Sequence, residues 1–207
     1  MKNGKLYLLA VALLLAMPVV ARTAEPQSAK NLDAKLPDQN MDAIPALPAH
    51  KSKDAPVNEE DRITREVRHE LVVQPYYTIW DWLAFRVNGN TVELIGDANS
   101  LGLKTDAVNS VKHIEGVEKV IDHINQLPPS PMDDGIRRKV ARAIFNWGGL
   151  SRYSWSAVPS IHIIVSGGRV RLEGIVDSKQ DKDAAGLRAN TVGDVFQVTN
   201  NLRVVKN

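Results

Sequence analysis

The stretch Asn88-Gly89-Asn90-Thr91-Val92-Glu93-Leu94-Ile95-Gly96-Asp97 has a counterpart in Gly167-Gly168-Arg169-Val170-Arg171-Leu172-Glu173-Gly174. Val92 and Val170, Leu94 and Leu172, and Gly96 and Gly174 are each 78 residues apart, and the register is expected to extend in both directions. Each copy reads as a tight turn, an alternating strand and a glycine exit. A tandem repeat excludes one large continuous core, because the chain must build two units that each bury only ~60% of their unfolded surface. With no cysteine in the chain, disulfides cannot supply the missing stability. The two units are therefore expected to pack together.

The elements around the repeated stretch follow the same order twice. In residues 59–128, acids Glu59, Glu60 and Asp61 open a helix whose inner face is Ile63, Val67 and Leu71. Leu83, Phe85 and Val87 then alternate into the hairpin. Asn99 or Ser100 is expected to cap a second helix with Leu103, Ala107, Val111 and Ile114 inward, ended by Gly116 before a strand from Val117 to Ile124. Pro128, Pro129 and Pro131 mark a stiff junction. In residues 129–207, Asp133 and Asp134 are expected to cap a third helix with Ile136, Val140 and Ile144 inward. Ile161, Ile163 and Val165 lead into the second hairpin, Ser178 caps the fourth helix, and Val195 to Val204 forms the last strand. The fold class is thus α+β: two α-β-β-α-β repeats, each a three-stranded sheet on two helices. Gly89, Gly96, Gly116, Gly167, Gly168 and Gly174 are its turn positions.

Lys2 and Lys5, an apolar run from Leu6 to Met17 and small residues before Ala21 predict a secretory leader over residues 1–21, cut after Ala21. The run is shorter than the ~20 residues that span a bilayer. The remainder is expected to be periplasmic or secreted, and at most peripheral to a membrane. Residues 22–58 are rich in Pro, Ala, Lys and Asp, contain no aromatic residue, and predict a flexible tether.

The strand, the Gly turn, Val-x-Leu-x-Gly, an alanine-bearing helix and then Gly-Val-Glu-Lys-Val-Ile-Asp-His-Ile from Gly116 resemble the BON family, named for bacterial OsmY and nodulation proteins. The second copy ends Asp-Val-Phe-Gln-Val-Thr-Asn-Asn-Leu-Arg-Val from Asp194, with Asp194 where the first has Gly116. The resemblance covers about residues 59–207 and implies an OsmY-like, tandem-domain protein of the periplasm. Such proteins are associated with phospholipid surfaces, envelope maintenance under osmotic stress and the holding of exported clients.

The residues themselves offer no catalytic constellation. There is no cysteine nucleophile, no Gly-x-Ser-x-Gly elbow, no His-Glu-x-x-His and no phosphate loop. His50, His69, His113, His123 and His162 lack metal-ligand spacing. No enzyme activity, cofactor or metal is expected.

Charge and aromatic residues are more informative. Residues 59–128 carry seven basic and twelve acidic side chains, and residues 129–207 carry twelve and seven. Arg137, Arg138, Lys139 and Arg142 on the third helix, Arg169 and Arg171 on the hairpin, and Lys179, Lys182 and Arg188 on the fourth helix are candidate contacts for anionic phospholipid headgroups. Arg169 and Arg171 are expected to share one outward strand face. Nucleic acid is not an expected partner of an exported chain. Solvated faces explain the same charges equally well.

Outside the leader, every Trp and Tyr falls between the first helix and first strand of a repeat: Tyr76, Tyr77, Trp80 and Trp82, then Trp147, Tyr153 and Trp155. They either extend undersized cores and join the repeats, or form a surface for a headgroup boundary or an unfolded exported chain.

Overall fold

The computed structural model describes residues 42–43, 59–155 and 159–205; the expected leader and almost all of the tether lie outside them. In chain order the elements are β1 (Asp42–Ala43), α1 (Glu59–Val72), β2 (Trp82–Asn88), β3 (Thr91–Ala98), α2 (Leu103–Lys112), β4 (Lys119–Gln126), α3 (Pro131–Phe145), a 3-10 turn (Ser151–Ser154), β5 (Ile161–Ser166), β6 (Arg169–Val176), α4 (Lys179–Asn190), β7 (Gln197–Asn200) and β8 (Arg203–Val204). β2 and β3 form an antiparallel hairpin, with β4 parallel to β3 and β1 on the free edge of β2. β5, β6 and β7 repeat that pattern, and β8 resumes the ladder beside β6.

Alternation in the hairpin strands sends Leu83, Phe85, Val92 and Leu94 toward α1 and α2, where Ile63, Val67, Leu71, Leu103, Ala107 and Val111 complete one core. Ile163, Val165, Val170 and Leu172 meet Ile136, Val140, Ile144, Ala185 and Ala189 in a second. Burying each Val, Leu, Ile or Phe side chain among them contributes about 1.5–3 kcal/mol. The opposite sheet faces meet each other: Trp82, Ala84 and Ile95 pack with Leu127 and Ile164. The helices consequently lie on the two outer sides of a double sheet.

The repeat register holds over the hairpin, but the helix cores Ile63/Val67/Leu71 and Ile136/Val140/Ile144 are 73 residues apart. The second unit has five more residues between helix and strand, and the 3-10 turn occupies this insertion. Two capping expectations are also corrected. Gly102, not Asn99 or Ser100, occupies the N-cap of α2, without a side-chain cap. Ser130 caps α3 by accepting the Asp133 N–H, with Pro131 at its first turn. Asp133 instead turns its carboxylate to the Gly167 and Gly168 N–H groups at 3.0 and 2.9 Å, clamping the second hairpin turn to the helix start. Asp134 pairs with Arg137. Ser178 caps α4 as expected. The last strand breaks at Asn201 and Leu202 because Leu202 turns into the core.

The glycine positions are steric requirements. At Gly96 (φ 145°) and Gly174 (φ 118°) an added Cβ would lie 1.9 Å from the Trp82 carbonyl and 2.0 Å from the Ser160 carbonyl. Gly116 takes φ 84°, and Asp194, its counterpart, holds φ 71° in spite of its Cβ.

Replacing Gly174 with Ala is expected to remove cooperative thermal unfolding of the second repeat. Asp194→Gly is expected to relieve about 0.5–1 kcal/mol of backbone strain and raise the thermal midpoint by roughly 2–4 °C. Differential scanning calorimetry of both variants checks the pair.

Candidate functional site

The junction between the repeats consumes several residues that the sequence marks as surface. Arg171 is 4% exposed: it reaches Asp97 of the other repeat and Glu173 of its own strand, the latter at 2.8 Å. Asn125 donates to Asp97 at 3.0 Å, and Asn201 donates to Glu173 at 2.8 Å. The expectation that Arg169 and Arg171 share an open face is therefore corrected. The face of β6 away from its helices is largely covered by the first repeat, and of the two arginines Arg169 alone is part-exposed. A guanidinium desolvated this fully is retained by two carboxylates, not offered to a headgroup.

Arg137 is likewise withdrawn, at 2% exposed. It bonds the Val165 carbonyl at 2.7 Å and Asp134 at 2.5 Å, so it ties α3 to β5. The remaining cations of the second repeat lie on its helix layer. Lys139 pairs with Asp194 and Lys179 with Asp183, each at 2.6 Å. Arg188 lies over the Trp147 ring at 3.4 Å, a cation–π contact. Lys182 is part-exposed. Arg138 and Arg142, one turn apart on α3, are exposed and have no ion-pair partner among the described residues.

The aromatic residues divide between core and surface. Tyr77 stacks on His162 of the second repeat with ring centroids 5.2 Å apart, Trp80 packs against the second core, and Trp82 lies in the sheet–sheet contact. Tyr153 is buried, donating to Asp181 and receiving the Asp177 N–H, and burial pushes its phenol up to about 12. Arg152 bridges Asp177 and Asp181 around it. This network pins the 3-10 turn to the start of α4. Beyond that turn Trp155 is 79% exposed; Trp147 and, on the first repeat, Tyr76 are also exposed.

Several organising residues carried no sequence signal. Asp81 is fully buried, and its carboxylate accepts from Thr78 and from the Asn99 and Ser100 N–H groups. His162 is an ordinary strand histidine by sequence, yet across the junction its Nδ1–H donates to Thr78 O (3.2 Å) and its Nε2 meets Tyr77 Oη (3.5 Å). Burial pushes its imidazole down to about 4. A cleft of about 700 Å³ between α1 and α2 is lined by Glu66, Glu70, Asp106 and Glu115 with His69 and His113. Among the described residues no His/Asp/Glu group is placed to hold a metal, and no helix is long and apolar enough to cross a membrane.

The sequence model of the BON domain matches residues 83–128 and again residues 133–206. No curated protein matches. Among solved structures the chain is similar to CdsD, a structural protein of the type III secretion system of Chlamydia trachomatis, at 10% identity and a TM-score of 0.28. That match covers 70% of this chain and 92% of the other. The C-terminal domain of CdsD gives 11% identity and a TM-score of 0.29, over 70% of this chain and 98% of the other.

Arg171→Met leaves Asp97 and Glu173 desolvated without a cation and is expected to cost about 3–5 kcal/mol in urea unfolding at pH 7. The His162 imidazole binds its proton near pH 6.5 when unfolded and near 4 when folded. Between these values the unfolded state holds the extra proton, so stability falls as pH falls, by up to about 3 kcal/mol. Glu173, pushed up by burial, contributes the opposite slope above its ordinary value. Subtracting the His162→Gln unfolding curve from the parent curve at pH 7, 5.5 and 4.5 isolates the histidine; a pH-independent difference contradicts the assignment.

Proposed function

Because the chain belongs to the BON domain family, we propose that it is a non-catalytic envelope protein that docks on anionic phospholipid surfaces through the α3–α4 face of its second repeat. The family is generally non-enzymatic and suggests association with the cell envelope. The observation that carries the finer reading is the pairing of free cations with presented tryptophans on one helix layer. Arg138 and Arg142 are exposed and unpaired among the described residues, while Trp147 and Trp155 stand exposed beyond the end of the same helix.

Each basic residue close to an anionic surface contributes about 1 kcal/mol, and tryptophan prefers the headgroup boundary, where its ring is desolvated and its N–H stays wet. Lys182 and Arg188 border this face and add to its potential, whereas Lys139 and Lys179 are offset by Asp194 and Asp183. Arg137 and Arg171 take no part, being held inside. The acidic first repeat turns its own helices to the other side of the double sheet, which keeps its carboxylates away from the docked surface. In this reading residues 1–21 export the chain to the periplasm and are removed near Ala21.

A second reading, the holding of unfolded exported chains on aromatic segments, is supported only by Tyr76, Trp147 and Trp155. Tyr77, Trp80, Trp82 and Tyr153 are committed to packing.

Co-sedimentation with phosphatidylglycerol-containing and purely phosphatidylcholine vesicles tests the lipid reading. The parent is expected to bind the anionic vesicles alone, and Arg138→Glu with Arg142→Glu to lower the bound fraction about tenfold with an unchanged thermal midpoint. Equal binding to both vesicle types, or no effect of the charge reversal, refutes it.

A further inference from the structure

The helix layers of the two repeats carry opposite charge on opposite outer sides of the double sheet, and each holds groups without a partner. On the first repeat, the cleft between α1 and α2 has no Lys or Arg among its lining residues. Glu70, Asp106 and Glu115 line it without an ion pair among the described residues. Gln74, 8% exposed, is its most buried polar member. Its Nε2 donates to Glu70 O and Ser110 Oγ, each at 2.9 Å, while its Oε1 accepts no hydrogen bond among the described residues. His113 donates from Nδ1 to Asn109 O at 2.6 Å, which leaves Nε2 of the neutral ring as an acceptor. Carboxylates, an amide oxygen and a ring nitrogen therefore share one concavity, a set that calls for a donor-rich cation. A guanidinium, with five N–H donors and no acceptor, meets it.

Such cations stand unused on the other helix layer. Arg138 and Arg142 are exposed and one turn apart on α3, with no ion pair among the described residues. Glu66 and Glu70 have the same one-turn spacing on α1, with Glu66 already sharing Arg62. The surface beyond the charges matches too. At the end of α1 the acids lead to exposed Val73, Pro75 and Tyr76, and at the end of α3 the arginines lead to exposed Trp147, which Arg188 backs. Charge followed by an apolar end runs in the same chain direction on both helices. Laid parallel to α1, the α3 of another molecule sets guanidinium against carboxylate and Trp147 against Val73 and Tyr76. No molecule can do this with itself, because its two helix layers face away from each other across the double sheet.

We propose that the α1–α2 cleft is a docking site for α3 of a second copy of this chain, with Glu70 and Asp106 receiving Arg138 and Arg142. Cleft and α3 lie on opposite sides of the molecule, so the contact is heterologous: each copy that docks presents its own cleft to the next, and association extends past a dimer. Oppositely charged faces speed the encounter and make the contact sensitive to salt. The proposal does not rest on lipid docking, although both use the same two arginines, and a docked copy has them covered.

Sedimentation equilibrium tests this with the parent, a cleft variant (Glu70→Arg with Asp106→Arg) and a helix variant (Arg138→Glu with Arg142→Glu), each variant first shown to keep the parent's thermal midpoint. At low ionic strength the parent's average mass is expected to rise with concentration past that of a dimer. It is expected to return to the monomer's in about 1 M salt, where the screening length is ~3 Å. Each variant alone is expected to be monomeric over the same range, its dissociation constant raised about tenfold or more. An equimolar mixture of the two is expected to associate, since it retains one native cleft and one native α3 face. A parent that is monomeric at low salt, including one whose cleft instead takes up spermidine in calorimetry, overturns the proposal. Association by either variant alone, or a mixture that stays monomeric, overturns it equally. Vesicle binding by the parent is measured at concentrations where it is monomeric, so failure here and failure of lipid docking are read separately.

Discussion

Arg171, held between Asp97 and Glu173 with almost no access to water, is the interaction on which the arrangement of the two repeats depends. A buried cation without its carboxylates costs several kcal/mol, so its position is tolerated only when β3 of one unit and β6 of the other are in one register. The apolar contact of Ile164 with Trp82, Ala84 and Ile95 supplies attraction, but greasy surfaces slide. The triad, with Asn125 on the other oxygen of Asp97 and Asn201 sharing Glu173 Oε1 with Arg171, gives that contact a single orientation. Its asymmetry is also informative: Arg171 and Glu173 align with Glu93 and Ile95 of the first copy. The same strand position thus became a surface acid in one repeat and the ionic centre of the junction in the other.

The junction accounts for how the aromatic segments behave. Between α1 and β2 the chain reaches across to the second repeat, where Tyr77 stacks on His162 and Trp80 joins the second core. Between α3 and β5 no third unit is present among the described residues to receive the corresponding segment. Five additional residues there form a 3-10 turn, fixed by Arg152, Tyr153 and Asp181, and the turn presents Trp155 to solvent. On the same layer Arg188 lies over the exposed Trp147 ring. A joining segment in the first repeat is a presenting segment in the second.

Much of the scaffold was legible in the sequence because it rests on local rules. Period-3.6 and period-2 apolar patterns identified the helices and hairpins, and the glycines at 96 and 174 marked places where a carbonyl approaches too closely for a Cβ. Ser178 announced its helix. The errors were equally physical. Asp133 resembles a dipole-stabilising acid but lies beside the Gly167-Gly168 turn, whose two outward N–H groups were the stronger demand. Asp194 supplies its own left-handed residue where the other copy relies on glycine. The candidate cations could not be sorted from the chain, because the same Arg serves as strut, junction or surface charge.

The sequence alone determined that there are two α-β-β-α-β units, which residues fill each core, and that charge divides unequally between the units. These follow from contacts within about 70 residues, where periodicity and turn chemistry suffice. Tertiary structure alone decided that Arg137 and Arg171 are interior while Arg138 and Arg142 are exposed. It also decided that Tyr77, Trp80 and Trp82 join the repeats while Trp155 does not, and that the chain's own Asp42–Ala43 closes part of an edge. Strand alternation names two faces but not the one that another unit will cover. That choice is made by contacts between residues more than 70 positions apart, such as Asp97 with Arg171, and no local pattern encodes it.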